Sequence, residues 1–226
     1  MAFIGTAADR RVAGLVCQCA ISKATPVINS VLSLRHCAKY RPLFMLREWK
    51  TIGSKLVGDF RIFTIRSDEK ISPRTGKHCD FFVIESVDWV NVVAVTPNDE
   101  LVMVEQFRHG SNTVELEIPG GIMDEGETDP LTTGVRELRE ETGFEGGSAR
   151  VLGWAFTNPA IMNNKSHFIL VQNCVHKHAC EFDHSEDLIT RLVPVTDIPQ
   201  LIRGGKIRHP LVIVALYHFE LSRRTS

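Results

Sequence analysis

Between residues 130 and 142 the hydrophobic period of the chain changes, and that change limits the folds open to it. Leu131, Val135 and Leu138 fall at i, i+4 and i+7, which makes one apolar helical stripe. Asp129 stands where an N-cap belongs, Pro130 at the first helical position, and Gly143 where a left-handed residue ends a helix. The segments on either side read as strands. Residues 61–66 alternate polar and apolar side chains, 72–76 (Ser-Pro-Arg-Thr-Gly) form a turn, and 80–84 return. Residues 88–95 are more continuously apolar, as a buried central strand is, and a turn at 97–99 leads into 101–107. After the helix, 151–155, 167–171 and 192–195 read as strands, 197–203 as a short helix closed by Gly204-Gly205, and 211–221 as a final apolar helix. A helix set among strands belongs to the α/β class.

The chain has 226 residues, enough for one sizeable domain. Its net charge of -1 carries no excess of Lys and Arg for a nucleic-acid partner, and no stretch of eighteen apolar residues suggests a membrane span. The six cysteines are scattered, which fits reduced thiols in the cytoplasm. Residues 1–44 stand apart, with Arg10, Arg11, Lys23, Arg35, Lys39 and Arg41 against one acid, Asp9. Three readings fit this extension: a transit peptide, which would direct the protein to an organelle; a secretory signal, weakened by Gln18 within its apolar run; or translation from an upstream start. The last is favoured, because the globular pattern begins directly after Met45, and the extension is expected to be disordered. The expected domain is therefore 45–226, with strands over 45–86 and a catalytic core over 87–226.

Chemistry concentrates on and before the helix. Glu137, Glu140 and Glu141 sit at i, i+3 and i+4 and share one face. Like charges so placed cost an isolated helix about 0.2–0.5 kcal/mol per pair, which is understandable if a hard divalent cation lies among them. Oxygen ligands suit Mg²⁺, with Mn²⁺ as a substitute. Nine acids against Arg136 and Arg139 over 115–141 also fit a plain solvated face. Gly120-Gly121 and Gly126 weigh against that, because they permit a tight loop whose carbonyls turn toward a cation. A second pattern, Cys174, His176, His178 and Cys180, alternates like ligands of a soft metal. A closed zinc site needs a turn between ligand pairs, so a polar strand end running into a loop is the preferred reading.

The stretch 120–144, GGIMDEGETDPLTTGVRELREETGF, resembles the Nudix box, G-x5-E-x7-R-E-U-x-E-E-x-G-U, where U is bulky and apolar. Gly121, Glu127, Arg136, Glu137, Leu138, Glu140, Glu141, Gly143 and Phe144 supply the fixed letters. Eight residues rather than seven separate Glu127 from Arg136, which the loop around Thr128-Asp129 can absorb, and Gly134 stands where relatives commonly carry Ala. Residues 88–93 (DWVNVV), 105–110 (EQFRHG) and 115–121 (ELEIPGG), with Asn158-Pro159-Ala160 after the box, look like the ADP-ribose pyrophosphatase-like branch.

That resemblance implies an α/β/α sandwich with a mixed sheet, preceded by antiparallel N-terminal strands. It implies metal-dependent hydrolysis of a nucleoside diphosphate derivative of the ADP-ribose or nucleotide-sugar type, giving a nucleoside monophosphate and a sugar phosphate. A housecleaning nucleoside triphosphatase and a non-catalytic nucleotide-sugar sensor are the alternatives. It makes Glu137, Glu140, Glu141 and the Gly120 carbonyl metal ligands, and gives Glu127 and Arg136 the task of holding loop to helix. Arg108 would grip phosphate or ribose and Glu117 would accept from ribose hydroxyls, each with a structural ion pair as its plain alternative. The general base is either Glu137 or an acid among residues 181–187. Enzymes of this branch are usually dimers with intertwined N-terminal strands, and the apolar strands over 49–84 are more than a lone hairpin buries, so a homodimer is expected.

Overall fold

The structure is a computed structural model and describes residues 46–124, 126–184 and 186–224. The extension 1–44 lies outside the described residues. The chain first builds a three-stranded antiparallel sheet in the order β1 (Lys50–Asp59), β2 (Thr64–Ile71), β3 (His78–Glu85). The expected strand at 61–66 is displaced. Phe60 and Phe63 close a tight turn, with Phe60 N–H donating to the Phe63 carbonyl at 2.9 Å and Arg61 in the left-handed region at φ 69°. The alternation of 61–63 therefore belongs to a turn, and the strand proper carries Ser67 and Asp68 as its buried residues. Asp68 is satisfied there by Ser54 Oγ at 2.7 Å and Arg66 Nε at 3.0 Å. The turn at 72–76 is present, closed by Gly76 N–H on the Ser72 carbonyl with Gly76 at φ 70°.

The rest of the chain forms a mixed sheet with helices on both faces. In order come β4 (Trp89–Val95), β5 (Glu100–Arg108), β6 (Thr113–Glu117), α1 (Pro130–Thr142), β7 (Phe144–Glu145), β8 (Ser148–Phe156), β9 (Lys165–Gln172), β10 (Val175–His176), β11 (Leu188–Pro194), α2 (Ile198–Arg203) and α3 (Pro210–Arg224). The sheet runs β11-β5-β4-β9-β8, with β4 and β9 parallel and the other pairs antiparallel. Alternation along the two central strands divides the core. Val92, Ala94, Ile169 and Val171 pack with Leu138 of α1. Val93, Val95, Phe168 and Leu170 pack with Val212, Ala215, Leu216 and Phe219 of α3. This is the α/β/α sandwich.

One irregularity in the sheet makes room for a site. β4 pairs with β5 only at Ala94↔Val102 and Val95↔Leu101, and farther along β5 it is β6 that pairs. The edge of β4 left by this fork is taken by the loop after β6. Val92 N–H donates to the Pro119 carbonyl at 2.8 Å and Val90 N–H to the Gly121 carbonyl at 2.9 Å. The loop is thereby laid between β4 and α1.

Helix α1 has the expected ends. Asp129 accepts from the Leu131 N–H at 3.1 Å, and Gly143 closes the helix at φ 71°. Its buried face differs from the apolar stripe read in the sequence: Val135 is 39% exposed, whereas Thr133, Gly134, Glu137, Leu138 and Glu141 are buried. Gly134 explains how the helix comes so close to the sheet. A Cβ there would lie 3.0 Å from Ile169 Cγ1 and 3.3 Å from Val92 Cγ2, so a helix-propensity loss of about 1 kcal/mol is exchanged for close packing.

Candidate active site

The inner face of α1 turns two carboxylates toward the glycine loop. Glu141 is 4% exposed and its Oε2 accepts from the Gly120 N–H at 3.0 Å. Glu137 lies against Gly121 so closely that a Cβ on that glycine would fall 2.4 Å from the carboxylate. Gly120 is held as tightly from its other side, since a Cβ there would meet the Val90 carbonyl oxygen at 2.2 Å. Both glycines are required by close approach.

Glu140 is the third acid of the helix set, and its charge bears on Glu137. It accepts from Arg136 Nη1 at 2.8 Å and is partly exposed. Arg136 is the hub of the acidic cluster, with Nη2 at 3.0 Å from Glu137, 3.6 Å from Asp124 and 3.7 Å from Glu127. Its Nε and Nη2 are buried and find no well-angled hydrogen bond among the described residues, so the attraction is ionic. Glu127 is fixed mainly by other groups: its Oε2 accepts from the Asp124 N–H at 2.9 Å and Thr133 Oγ1 at 2.8 Å, which ties the loop to the helix. Of the eight residues between Glu127 and Arg136, two precede the helix and six lie within it, since its first residue is Pro130.

Burial raises the Glu137 carboxyl to about 7, with Arg136 opposing and Glu140 and Glu186 adding to the rise. Burial likewise raises Glu141 to about 8, opposed by the Gly120 N–H and reinforced by Glu137 and Glu186. A group whose pKa is higher folded than unfolded stabilises the fold fully below its unfolded pKa. That contribution disappears as pH rises through the folded pKa. In the presence of a chelator, the melting temperature should therefore fall between about pH 5 and pH 8.5, and the Glu141→Gln protein should show a shallower fall. Melting temperatures equally steep in both proteins would contradict the assignment of the strain to Glu141.

Glu186 was one of several acids in the 181–187 segment that the sequence left undivided. The fold separates them. Glu181 pairs with Arg139 at 3.0 Å on the outer face of α1, whereas the charge of Glu186 reaches both buried glutamates. No local sequence signal distinguishes the two; only the return of the chain beside α1 does.

Arg108 and Glu117 are brought together with each other. The guanidinium Nε and Nη2 each lie 2.9 Å from a Glu117 oxygen, a forked pair. Glu117 is fully buried, and both its oxygens are engaged. The pair borders a cavity of about 340 Å³ that also includes Phe63, Trp89, Gly120, Gly121 and His209. Trp89, the first residue of β4, is part of its wall. The Cys174–Cys180 pattern is not a metal site: Cys174 is buried with its thiol raised to about 11, His176 packs on the Phe144 ring, and His178 pairs with Glu145 at 2.9 Å. Among the described residues no three His, Cys, Asp or Glu side chains converge as a ready-made metal cage.

The NUDIX domain family matches residues 87–213, more than half of the chain. The chain belongs to the NUDIX domain family. It is a Nudix hydrolase. An ADP-ribose pyrophosphatase of Bacillus subtilis (strain 168) is 26% identical over 175 residues, covering 77% of this chain and 94% of its own. A methanol dehydrogenase activator of Bacillus methanolicus is 28% identical over 177 residues, covering 78% and 95%. An ADP-sugar pyrophosphatase of Mus musculus is 32% identical over 103 residues, covering 45% and 44%. A solved ADP compounds hydrolase superposes with a TM-score of 0.71 at 20% identity, covering 80% of this chain and 97% of the other, and shares the fold. No helix among the described residues is long and apolar enough to cross a membrane.

Proposed function

We propose that this Nudix hydrolase cleaves the diphosphate linkage of an ADP-ribose-type nucleotide sugar in the presence of Mg²⁺, with Mn²⁺ as a substitute. The observation that carries the reading is the junction of the buried Glu137–Glu141 pair with a cavity that has aromatic walls at one end and a forked arginine at the other. The names of the relatives support the substrate class. Two buried carboxylates of raised pKa, facing glycines that leave no room for a Cβ, fit a hard divalent cation, because a cation would offset the mutual repulsion that burial magnifies.

Glu137 and Glu141 would hold the cation, with Glu140 and the Gly120 carbonyl as further ligands. When bound, such an ion stabilises charge on phosphoryl oxygens and makes water more acidic. Arg136 orients Glu137 and Glu140, and Glu127 keeps the loop against the helix. Arg108 offers to phosphate its Nη1, which has no hydrogen bond among the described residues, while Glu117 holds it in place, so Glu117 positions the arginine and does not receive ribose itself. Glu186 is the candidate to take the proton of the attacking water, since Glu137 is committed as a ligand. Glu186→Gln should lower kcat about a hundredfold with KM changed little. Unaltered kcat would return the base role to Glu137.

The ranking of substrates tests the reading. ADP-ribose should give a higher kcat/KM than nucleoside triphosphates or dinucleoside polyphosphates. A preference for triphosphates would favour the housecleaning alternative, and binding without turnover the sensor.

We also propose a homodimer through the N-terminal sheet. Leu56, Val57, Phe60, Ile62 and Phe82 are exposed on it, and β1 is an edge strand among the described residues. A partner ring from this sheet could then cover the adenine. Light scattering should give twice the 25.3 kDa chain mass. A fully active monomer would refute this.

A further inference from the structure

The cavity beside the glutamates has two chemically distinct ends. At one end Ile62, Phe63, Trp89, Ile122 and Met162 make an apolar wall, linked by the Trp89↔Ile122 bridge and by Met162 against β3. At the other stand Arg108, Glu117 and His209. Gly120 and Gly121, which carry the glutamate pair, lie between. A nucleobase suits the first end, a diphosphate the middle, and the second sugar of the substrate the polar end.

The polar side chains of this wall are nearly all engaged within the protein. Glu117 takes up Arg108 Nε and Nη2 with both its oxygens, Asn91 donates to Ser166 at 2.8 Å, and Ser86 donates to the Ile62 carbonyl at 3.4 Å. His209 differs. Its Nδ1 is buried with no hydrogen-bond partner among the described residues, although a buried polar atom left unmade is costly. The residue is not loosely placed. Its neighbour Arg208 is forked onto Glu115, with Nη2 at 2.6 Å and Nε at 3.1 Å, and its own carbonyl accepts from the Ile213 N–H at 3.1 Å in the first turn of α3. His209 lines the cavity while its Nδ1 is turned away from the opening, and a half-turn of the ring about χ2 brings that nitrogen to the wall, where it can meet a ligand.

We propose that His209 binds a hydroxyl of the sugar on the far side of the diphosphate from the nucleobase, and so helps to select nucleotide sugars. This rests on the hydrolase reading above. The chemistry favours a hydroxyl over a phosphate. Burial holds the imidazole below its ordinary pKa and the Arg108 charge adds to this, although Glu117 and Glu115 oppose it, so the ring is neutral near pH 7. A neutral imidazole presents one donor and one acceptor, the complement of a hydroxyl, whereas a phosphate is better met by the guanidinium already there.

The test compares ADP-ribose with the β-methyl ester of ADP, which keeps the base and the diphosphate but lacks the second sugar. His209→Phe fills the same space without hydrogen-bonding groups, and His209→Asn restores a donor and an acceptor. For ADP-ribose, His209→Phe should raise KM about tenfold with kcat changed less than about twofold, and His209→Asn should recover most of the loss. For the methyl ester, kcat/KM should be the same in all three proteins within about twofold. Equal losses on both substrates, or no loss on either, would overturn the assignment. Calorimetric binding of ADP-ribose to the same proteins separates this inference from the hydrolase reading. If the wild type binds ADP-ribose without cleaving it and His209→Phe binds about tenfold more weakly, hydrolysis is refuted and the role of His209 stands. If both bind equally, the role of His209 is refuted whatever the turnover.

Discussion

Glu141→Gln is expected to lower turnover by about three orders of magnitude while making the ligand-free protein more stable. The two effects have one cause. Glu141 is a buried carboxylate raised to about 8 by burial and by the charges of Glu137 and Glu186, so the folded protein bears a cost for ionising it. The amide is nearly the same shape and its oxygen can still accept from the Gly120 N–H, so the loop keeps its anchor. What is lost is the charge that would hold a cation. Thermal melting in a chelator at about pH 8 should show an increase on the order of 5 °C, and steady-state assays with Mg²⁺ should show the loss of kcat. A variant that is inactive but less stable would mean that Glu141 is chiefly a structural hydrogen-bond acceptor.

The two adjacent glycines of the loop should fail in different ways. Gly120→Ala brings a Cβ to 2.2 Å from the Val90 carbonyl oxygen, a backbone atom of a central strand that cannot move cheaply. It should destabilise the protein by about 3 kcal/mol or more, comparable with severe overpacking of a core. Gly121→Ala meets only the Glu137 carboxylate, at 2.4 Å, which is the far end of a flexible side chain. The fold should lose about 1 kcal/mol or less, while kcat falls at least a hundredfold because Glu137 is pushed from its place. Denaturant titration and kinetics on the pair would show this contrast. Equal loss of stability in both variants would contradict it.

Helix α1 was legible because its signals are local: a capping aspartate, a proline, a closing glycine and the glutamate spacing all lie within one segment. Its buried face departs from the apolar stripe at Val135, because hydrophobicity alone does not mark the residues that turn inward. The face that packs inward carries Glu137 and Glu141, polar residues buried for the sake of the site. The N-terminal strands were legible as strands but not in their bounds. β2 buries Ser67 and Asp68 within a polar network, so no hydrophobic alternation marks it, while the apolar residues of the preceding turn imitate a strand. The Arg108–Glu117 pair, the reach of Glu186 and the unpartnered His209 depend on tertiary neighbours and have no sequence signature. The motif that carries the chemistry could be read, and the partners that tune it could not.

The most direct measurement of the central claim is phosphorus NMR of ADP-ribose incubated with the purified full chain. With Mg²⁺ present, the diphosphate signals should be replaced by those of AMP and a sugar monophosphate in equal amounts, and an excess of chelator should stop the conversion. Persistence of the diphosphate signals at enzyme concentrations that bind ADP-ribose, or conversion that proceeds unchanged in the chelator, would contradict it.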